Sequence, residues 1–436
     1  MTGTSHLVRS AGEIVPITDR KSHSEYVPTT GLSQAAAASA LDTDQLAFPL
    51  EMARRFGPIV QLWPGVIQVT GADVVDSVLR RTNRDFFVDR NFLFRKIDYG
   101  SKASQVKLDA WMKLRRTAMS AMTPARFGQH APWLIDQANI LVDSWLRRGS
   151  IAGILPEVAQ LTGASITRFT LGDRHARDVR AATDAMLDAL RHLSLGRFEW
   201  PGYIRAVQPR EWRARRTLND FMEAVHASLK TRDRNGLIDV MSQPESNEAA
   251  AELVKSLLLN GQEAPAAAVC WALVELARNP EEQERAASAA SRWDGSLAVP
   301  KEIGRVVDET LRLWPPAPLS GRVTGESVSL GSWMLPAGST ILLPFNVIHR
   351  TAERFPEPDR FDSTRWTLLS PPHGSYVPFG GGARSCLGAR FARFEVATIL
   401  AAVLRQSRVT LNGSVRPNPG RILTPVGFDL RLRPRR

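Results

Sequence analysis

The most restrictive feature of this 436-residue chain is the segment Phe379-Gly380-Gly381-Gly382-Ala383-Arg384-Ser385-Cys386-Leu387-Gly388. Three successive glycines are costly inside a helix or strand, so the segment is a loop. They also let backbone come close to a flat object. Apolar residues at three- and four-residue spacing follow, and they predict an amphipathic helix from Ala389 to Leu404. Cys386 therefore stands at a helix N-terminus, where the helix dipole and the nearby Arg384 both favour a thiolate. A thiolate, a cation and little side-chain bulk suit a metal carried on a planar, anionic macrocycle.

The pattern Phe-x-x-Gly-x-Arg-x-Cys-x-Gly is complete. Five fixed residues in ten arise by chance roughly once in ten thousand chains of this length. The segment resembles the haem-ligand signature of the cytochrome P450 family, and further likeness extends over about residues 45 to 432. The resemblance implies a mainly α fold with small β-sheets (α+β), the P450-like single-domain triangular prism. It implies heme b (iron-protoporphyrin IX) held by Cys386 as the metal ligand, with Phe379 beside the haem and Arg384 and Gly388 among the cofactor contacts.

Composition narrows the setting. Two cysteines, Cys270 and Cys386, exclude a disulfide framework and suit a reducing cytosol. No run of 18 apolar residues occurs, so no membrane span is expected. The start of the chain is polar and is read as a loose arm over residues 1–40, with one haem-thiolate domain over 41–436. The net charge is +12, but the basic residues are scattered and no nucleic-acid motif accompanies them. A basic face for a small acidic redox protein accounts for the charge as well as a generally basic surface does. A cytoplasmic monomer is expected.

Other motifs fall along the chain. Two β-rich runs, 59–63 and 66–70, flank Pro64-Gly65 and predict a hairpin. In a helix predicted over Leu108 to Met122, Trp111 and Arg115 lie four apart on one face. By resemblance that pair donates hydrogen bonds to a haem propionate, and Arg322 binds a propionate too. Residues 84–104 and 194–209 read as loops, the second carrying Phe198, Trp200, Pro201 and Tyr203. By resemblance the second belongs to a mobile lid; by itself it is equally a surface hairpin.

Residues 247–279 form the longest helical stretch, with Gly261, Glu263 and Pro265 at its centre. Pro265 has no N–H, so it removes the partner of the Gly261 carbonyl and should open a groove. By resemblance this helix crosses the oxygen side of the haem, which makes Gly261, Glu263 and Ala264 the expected catalytic positions. The family usually has an acid followed by a threonine there; this chain has Glu263-Ala264. Protons must then come by Glu263 and water or a substrate hydroxyl, or the reaction is not ordinary oxygen activation. Glu263 is otherwise a structural acid bonded to backbone.

Glu309 and Arg312 lie three apart in a helix predicted over Lys301 to Leu313, ahead of Trp314-Pro315-Pro316. This resembles the family's Glu-x-x-Arg helix, which gains a second arginine from a downstream loop. Arg365 is the expected partner and Arg360 the fallback. The resemblance implies a monooxygenase that inserts one oxygen atom from O2 into a hydrophobic small molecule, such as a terpenoid or other secondary metabolite. Electrons would come from a ferredoxin- or flavodoxin-type donor. The missing threonine keeps open a peroxygenase, a coupling or dehydration enzyme, or a non-catalytic haem ligand-binding protein.

Overall fold

The computed structural model describes residues 15–16, 27–88, 102–173, 176–194, 209–230, 236–240, 247–296 and 298–435. Much of the N-terminal arm, residues 89–101, and the loop aromatics Phe198, Trp200, Pro201 and Tyr203 lie outside the described residues. The chain is mainly helical with small sheets, and it divides into two compact units.

The first unit comprises Met1–Gln105, Pro318–Pro358 and Pro371–Ser385. Its helices are α1 (Gln34–Thr43), α2 (Ala47–Phe56) and α3 (Ala72–Arg80). Helix α1 begins within the stretch, residues 1–40, that reads as a loose arm. Its alanines are the best helix formers, and the Ser33 hydroxyl caps it by accepting the Ala36 amide at 3.3 Å. The predicted hairpin forms from Ile59–Trp63 and Val66–Val69, with Gly65 at φ 80° in the turn. Thr340–Pro344 adds to it in parallel, and Leu319–Thr324 and Phe86–Val88 complete a five-stranded sheet. Alternate residues of these strands bury Ile67, Val69, Ile341 and Leu343 against Val75, Val78 and Leu79 of α3.

The second unit comprises Val106–Ala317, Asp359–Ser370 and Cys386–Arg436. Its helices are α4 (Lys102–Ala121), α5 (Pro124–Arg148), α6 (Leu155–Leu171), α7 (Ala176–Ser194), α8 (Pro209–Lys230), α9 (Asn247–Gly261), α10 (Glu263–Arg278), α11 (Pro280–Ser291), α12 (Lys301–Leu313) and α13 (Ala389–Gln406). Helices α5, α6, α10 and α13 pack together. Pro265 to Leu276 of α10 are all buried, as expected of a helix that is apolar all round. Ala250–Arg278 is long and apolar enough to cross a membrane, yet most of it is enclosed by protein, which is how a core helix behaves. The last strands, Ser407–Pro419 and Leu423–Pro434, form an antiparallel hairpin edged by Ser150–Ala152.

A buried ion network ties α12 to the segment after residue 358. Glu309 is fully buried. Arg312 donates to it twice, from Nε to Oε2 and from Nη2 to Oε1, both at 2.9 Å. Arg365 Nε reaches Oε1 at 2.9 Å, the Trp366 indole reaches Oε2 at 2.9 Å, and the Asp362 amide reaches Oε1 at 3.0 Å. Arg360 contributes its carbonyl, which accepts from Arg312 and Arg365. Trp366 is a member that no spacing rule pointed to. A carboxylate so fully bonded avoids the cost of a bare buried charge.

A second buried acid is treated differently. Glu395 of α13 is enclosed beside the Ser165 hydroxyl of α6, which also meets His130 Nε2 of α5 at 2.9 Å. Burial pushes the Glu395 carboxyl up to about 8, and pushes the His130 imidazole down to about 4. Among the described residues no cation pairs with Glu395, and burial favours its protonated form.

Two outcomes follow from these acids. Glu309→Gln should destabilise the chain by about 3–5 kcal/mol, because two buried arginines lose their charge partner. The check is a fall in denaturant midpoint at unchanged slope; a loss under about 0.5 kcal/mol, the size of a neutral surface change, would contradict the lock. For Glu395 the folded state binds the proton more tightly than the unfolded chain, so the stabilisation is full below about 4.5 and lost as pH rises towards about 8. Wild type should therefore lose about 5 kcal/mol relative to Glu395→Gln across that window. Parallel stability–pH curves for the two proteins would contradict a protonated Glu395.

Candidate active site

In the first unit the glycine loop is held from both sides. The Val377 amide donates to Nε2 of the buried His349 at 2.9 Å, and Arg384 Nε donates to Asn83 Oδ1 at 2.9 Å. Gly380 and Gly382 sit at φ 67° and 62°, where other residues are strained. A Cβ on Gly382 would run into the Leu79 carbonyl, and one on Gly381 would lie 3.1 Å from the Leu79 side chain. Two of the three glycines are therefore needed for close approach to the end of α3, a reason the sequence alone did not suggest.

Arg322 belongs to the same unit. Its guanidinium is 5% exposed and donates to the Thr82 hydroxyl at 3.1 Å, the Ser320 hydroxyl at 3.0 Å and the Gly321 carbonyl at 2.7 Å. All three are neutral. Burial pulls this guanidinium down to about 10, with no acid among the described residues opposing the shift. A buried cation with neutral partners fits a site for an anionic group.

In the second unit Cys386 lies two residues before the N-cap, Gly388, of α13. The Gly388 amide donates to its sulfur, and a Cβ on Gly388 would meet nothing within 4 Å. Cys386 keeps exposed surface although protein crowds its thiol on other sides. That crowding raises the thiol's pKa above its ordinary value, against the opposing pull of the Gly388 amide, Arg115 and Arg393. This corrects the expectation of a thiolate favoured by the helix end and by Arg384. The cations that act on the thiol are Arg115 and Arg393, and Arg384 bonds Asn83. A bound cation reverses the balance, because a coordinating thiol is deprotonated outright.

Trp111 and Arg115 of α4 do share a face, with the guanidinium carbon 5.5 Å from the indole ring centre. Arg115 is buried, which lowers its pKa, while the Cys386 charge opposes the shift. Arg393, a residue that sequence reasoning missed, donates to Asp308 Oδ1 from Nε at 3.1 Å and from Nη2 at 2.8 Å. The only advance signal for it was its position seven residues after Cys386.

The central stretch is interrupted beside Gly261. It is two helices, α9 ending at Gly261 and α10 beginning at Glu263. Pro265 lies in the first turn of α10, where a missing N–H costs little. Gly261 does not face an open groove; a Cβ there would lie 2.6 Å from Ile166 Cγ1, so the glycine serves close packing on α6. The break is bonded from outside. The buried Thr162 hydroxyl donates to the Gln262 carbonyl at 2.7 Å, and Gln262 Nε2 donates to Asp184 at 2.6 Å. Glu263 forms an ion pair with Arg421, a residue at the turn between the last two strands that nothing in the sequence marked. Ala264 keeps part of its surface open, while Glu263 and Pro265 to Leu276 are buried.

Within the second unit Cys386 offers a sulfur ligand, Gly388 a residue without a side chain beside it, and Trp111 and Arg115 an indole N–H and a cation. Within the first unit Arg322 offers a buried cation with neutral partners. Among the described residues no cluster of three or more His, Cys, Asp or Glu could hold a metal ion alone.

The Cytochrome P450 family model matches residues 39–427. Cytochrome P450 714D1 of Oryza sativa subsp. japonica is 29% identical over 381 residues, 75% of this chain and 66% of that protein. Cyclooctatin synthase of Streptomyces melanosporofaciens is 37% identical over 190 residues, 41% of this chain and 40% of that protein. The aligned spans thus cover about two fifths to two thirds of these relatives' lengths. The crystal structure of a cytochrome P450 heme domain mutant superposes with a TM-score of 0.77 over 94% of this chain and 98% of that one, at 19% identity, a likeness of fold. The match across most of the chain, together with the complete cysteine loop, places the protein in the cytochrome P450 family.

Proposed function

We propose that the protein is a haem-thiolate monooxygenase that inserts one oxygen atom from dioxygen into a hydrophobic small molecule. Its electrons would come from a separate donor of the ferredoxin or flavodoxin type. The observation that carries this reading is the exposed Cys386 at the head of α13, beside the side-chain-free Gly388. A thiolate-ligated haem supplies electron-rich iron, which favours O–O cleavage.

The chain's own residues have distinct tasks in this reading. Cys386 is the iron ligand, and the Gly388 amide bonded to its sulfur moderates the thiolate charge. Trp111, Arg115, Arg322 and Arg384 are donors for the propionates, which only accept. Phe379 packs beside the cofactor. Ala264 presents a methyl where relatives place a hydroxyl, so it helps wall an apolar pocket. Glu263, tied to Arg421, is the ionisable group nearest that position in the chain. The general physical division holds here: the protein binds, orients and excludes water, and the cofactor performs the bond chemistry.

Two measurements test the reading. With reductant, a surrogate ferredoxin and its reductase, and isotopically labelled dioxygen, one labelled oxygen should enter a hydrophobic compound found by its spin-state shift on binding. Product formed from hydrogen peroxide, and none from dioxygen, would assign a peroxygenase instead. Arg322→Gln should weaken haem retention by about tenfold or more, since a hydrogen bond to a charged group contributes about 1.5–3 kcal/mol. Its haem-free form should be at least as stable as wild type, because an uncompensated buried charge is gone. Unchanged haem retention would remove Arg322 from the cofactor site.

A further inference from the structure

The turn at residues 420–422 is fastened to the helix break by one guanidinium. Arg421 Nη2 meets Glu263 Oε2 in an ion pair and also donates to the Leu259 carbonyl at 3.2 Å. In a straight helix the Leu259 carbonyl would take the Glu263 amide. The same nitrogen thus touches the last turn of α9 and the first side chain of α10. Arg421 Nε is buried and has no hydrogen-bond partner among the described residues, so the side chain is held by its far end. Two further bonds seat the hairpin in the same place. The Trp271 indole of α10 donates to the Leu423 carbonyl at 3.1 Å, and the Leu423 amide donates to the Pro316 carbonyl at 2.9 Å. Thr424 and Pro425 follow directly and are buried, and then Val426 is exposed.

We infer that Arg421 is the positioning residue of Glu263, clamping its carboxylate across the break between α9 and α10 and joining it to the final hairpin. The pairing is charge-assisted and partly buried, with side-chain exposures of 19% and 12%, so water screens it less than a surface pair. Without the clamp Glu263 loses its ion pair and the break loses a cross-brace from the hairpin. A chain that lacks a hydroxyl at Ala264 depends on the orientation of Glu263 for any proton that passes there. That last role rests on the monooxygenase reading; the clamp does not.

The test uses Glu263→Gln, Arg421→Gln, the double variant and Arg421→Lys. On the thermal midpoint, each glutamine variant should lower stability, and the double variant should be no worse than the larger single effect. Arg421→Lys should recover part of the loss through its remaining charge. Additive losses would overturn the clamp. In the haem-loaded chain, dioxygen-dependent electron consumption driven by a surrogate ferredoxin and its reductase should fall several-fold in both single variants and no further in the double one. Losses that multiply would overturn the positioning role. Wild type that consumes no electrons would refute the monooxygenase reading, and the thermal cycle alone would then decide the clamp.

Discussion

The carboxylate of Glu309 is the interaction around which the second unit is built. A charge with no exposed surface survives only if every lone pair is used, and here five donors use them. Three of these come from an otherwise irregular segment, residues 359–370, whose only regular element is a single short 3-10 turn. Irregular backbone has few hydrogen bonds of its own, so a side-chain network substitutes for the ladder of a helix or strand. Arginine suits this better than lysine, because its planar fork meets two carboxylate oxygens at once.

Much of this was legible before the coordinates. The cysteine loop, the Glu-x-x-Arg pair and the hairpin at Pro64-Gly65 are local patterns, and local patterns survive folding. Arg365 over Arg360 followed from the resemblance to the family's Glu-x-x-Arg network, and Arg360 lends its carbonyl. What was illegible depends on contacts distant in sequence. Arg421 meets Glu263 from 158 residues away, and Thr162 reaches Gln262 from 100. The reason for a glycine at 261 is close packing against the Ile166 side chain of another helix. The strand Ser407–Pro419 was missed because its polar, outward-facing half carries no alternating apolar signal.

The thiol shows how two correct local arguments can lose to a third. A helix end and cations do pull the Cys386 pKa down, but burial pulls harder. The thiol's pKa therefore lies above its ordinary value. The acids divide along the same line. Glu309 is charged and saturated with donors, whereas Glu395 pairs with no cation among the described residues and burial favours its protonated form.

Everything functional in this account passes through one sulfur. The reduced carbon-monoxide difference spectrum of the haem-loaded protein reads that sulfur directly, because the band position reports whether the ligand opposite carbon monoxide is a thiolate. The account predicts the thiolate-type band in wild type and its complete loss in Cys386→Ala. The same band in both proteins, or a chain that takes up no haem, would contradict it.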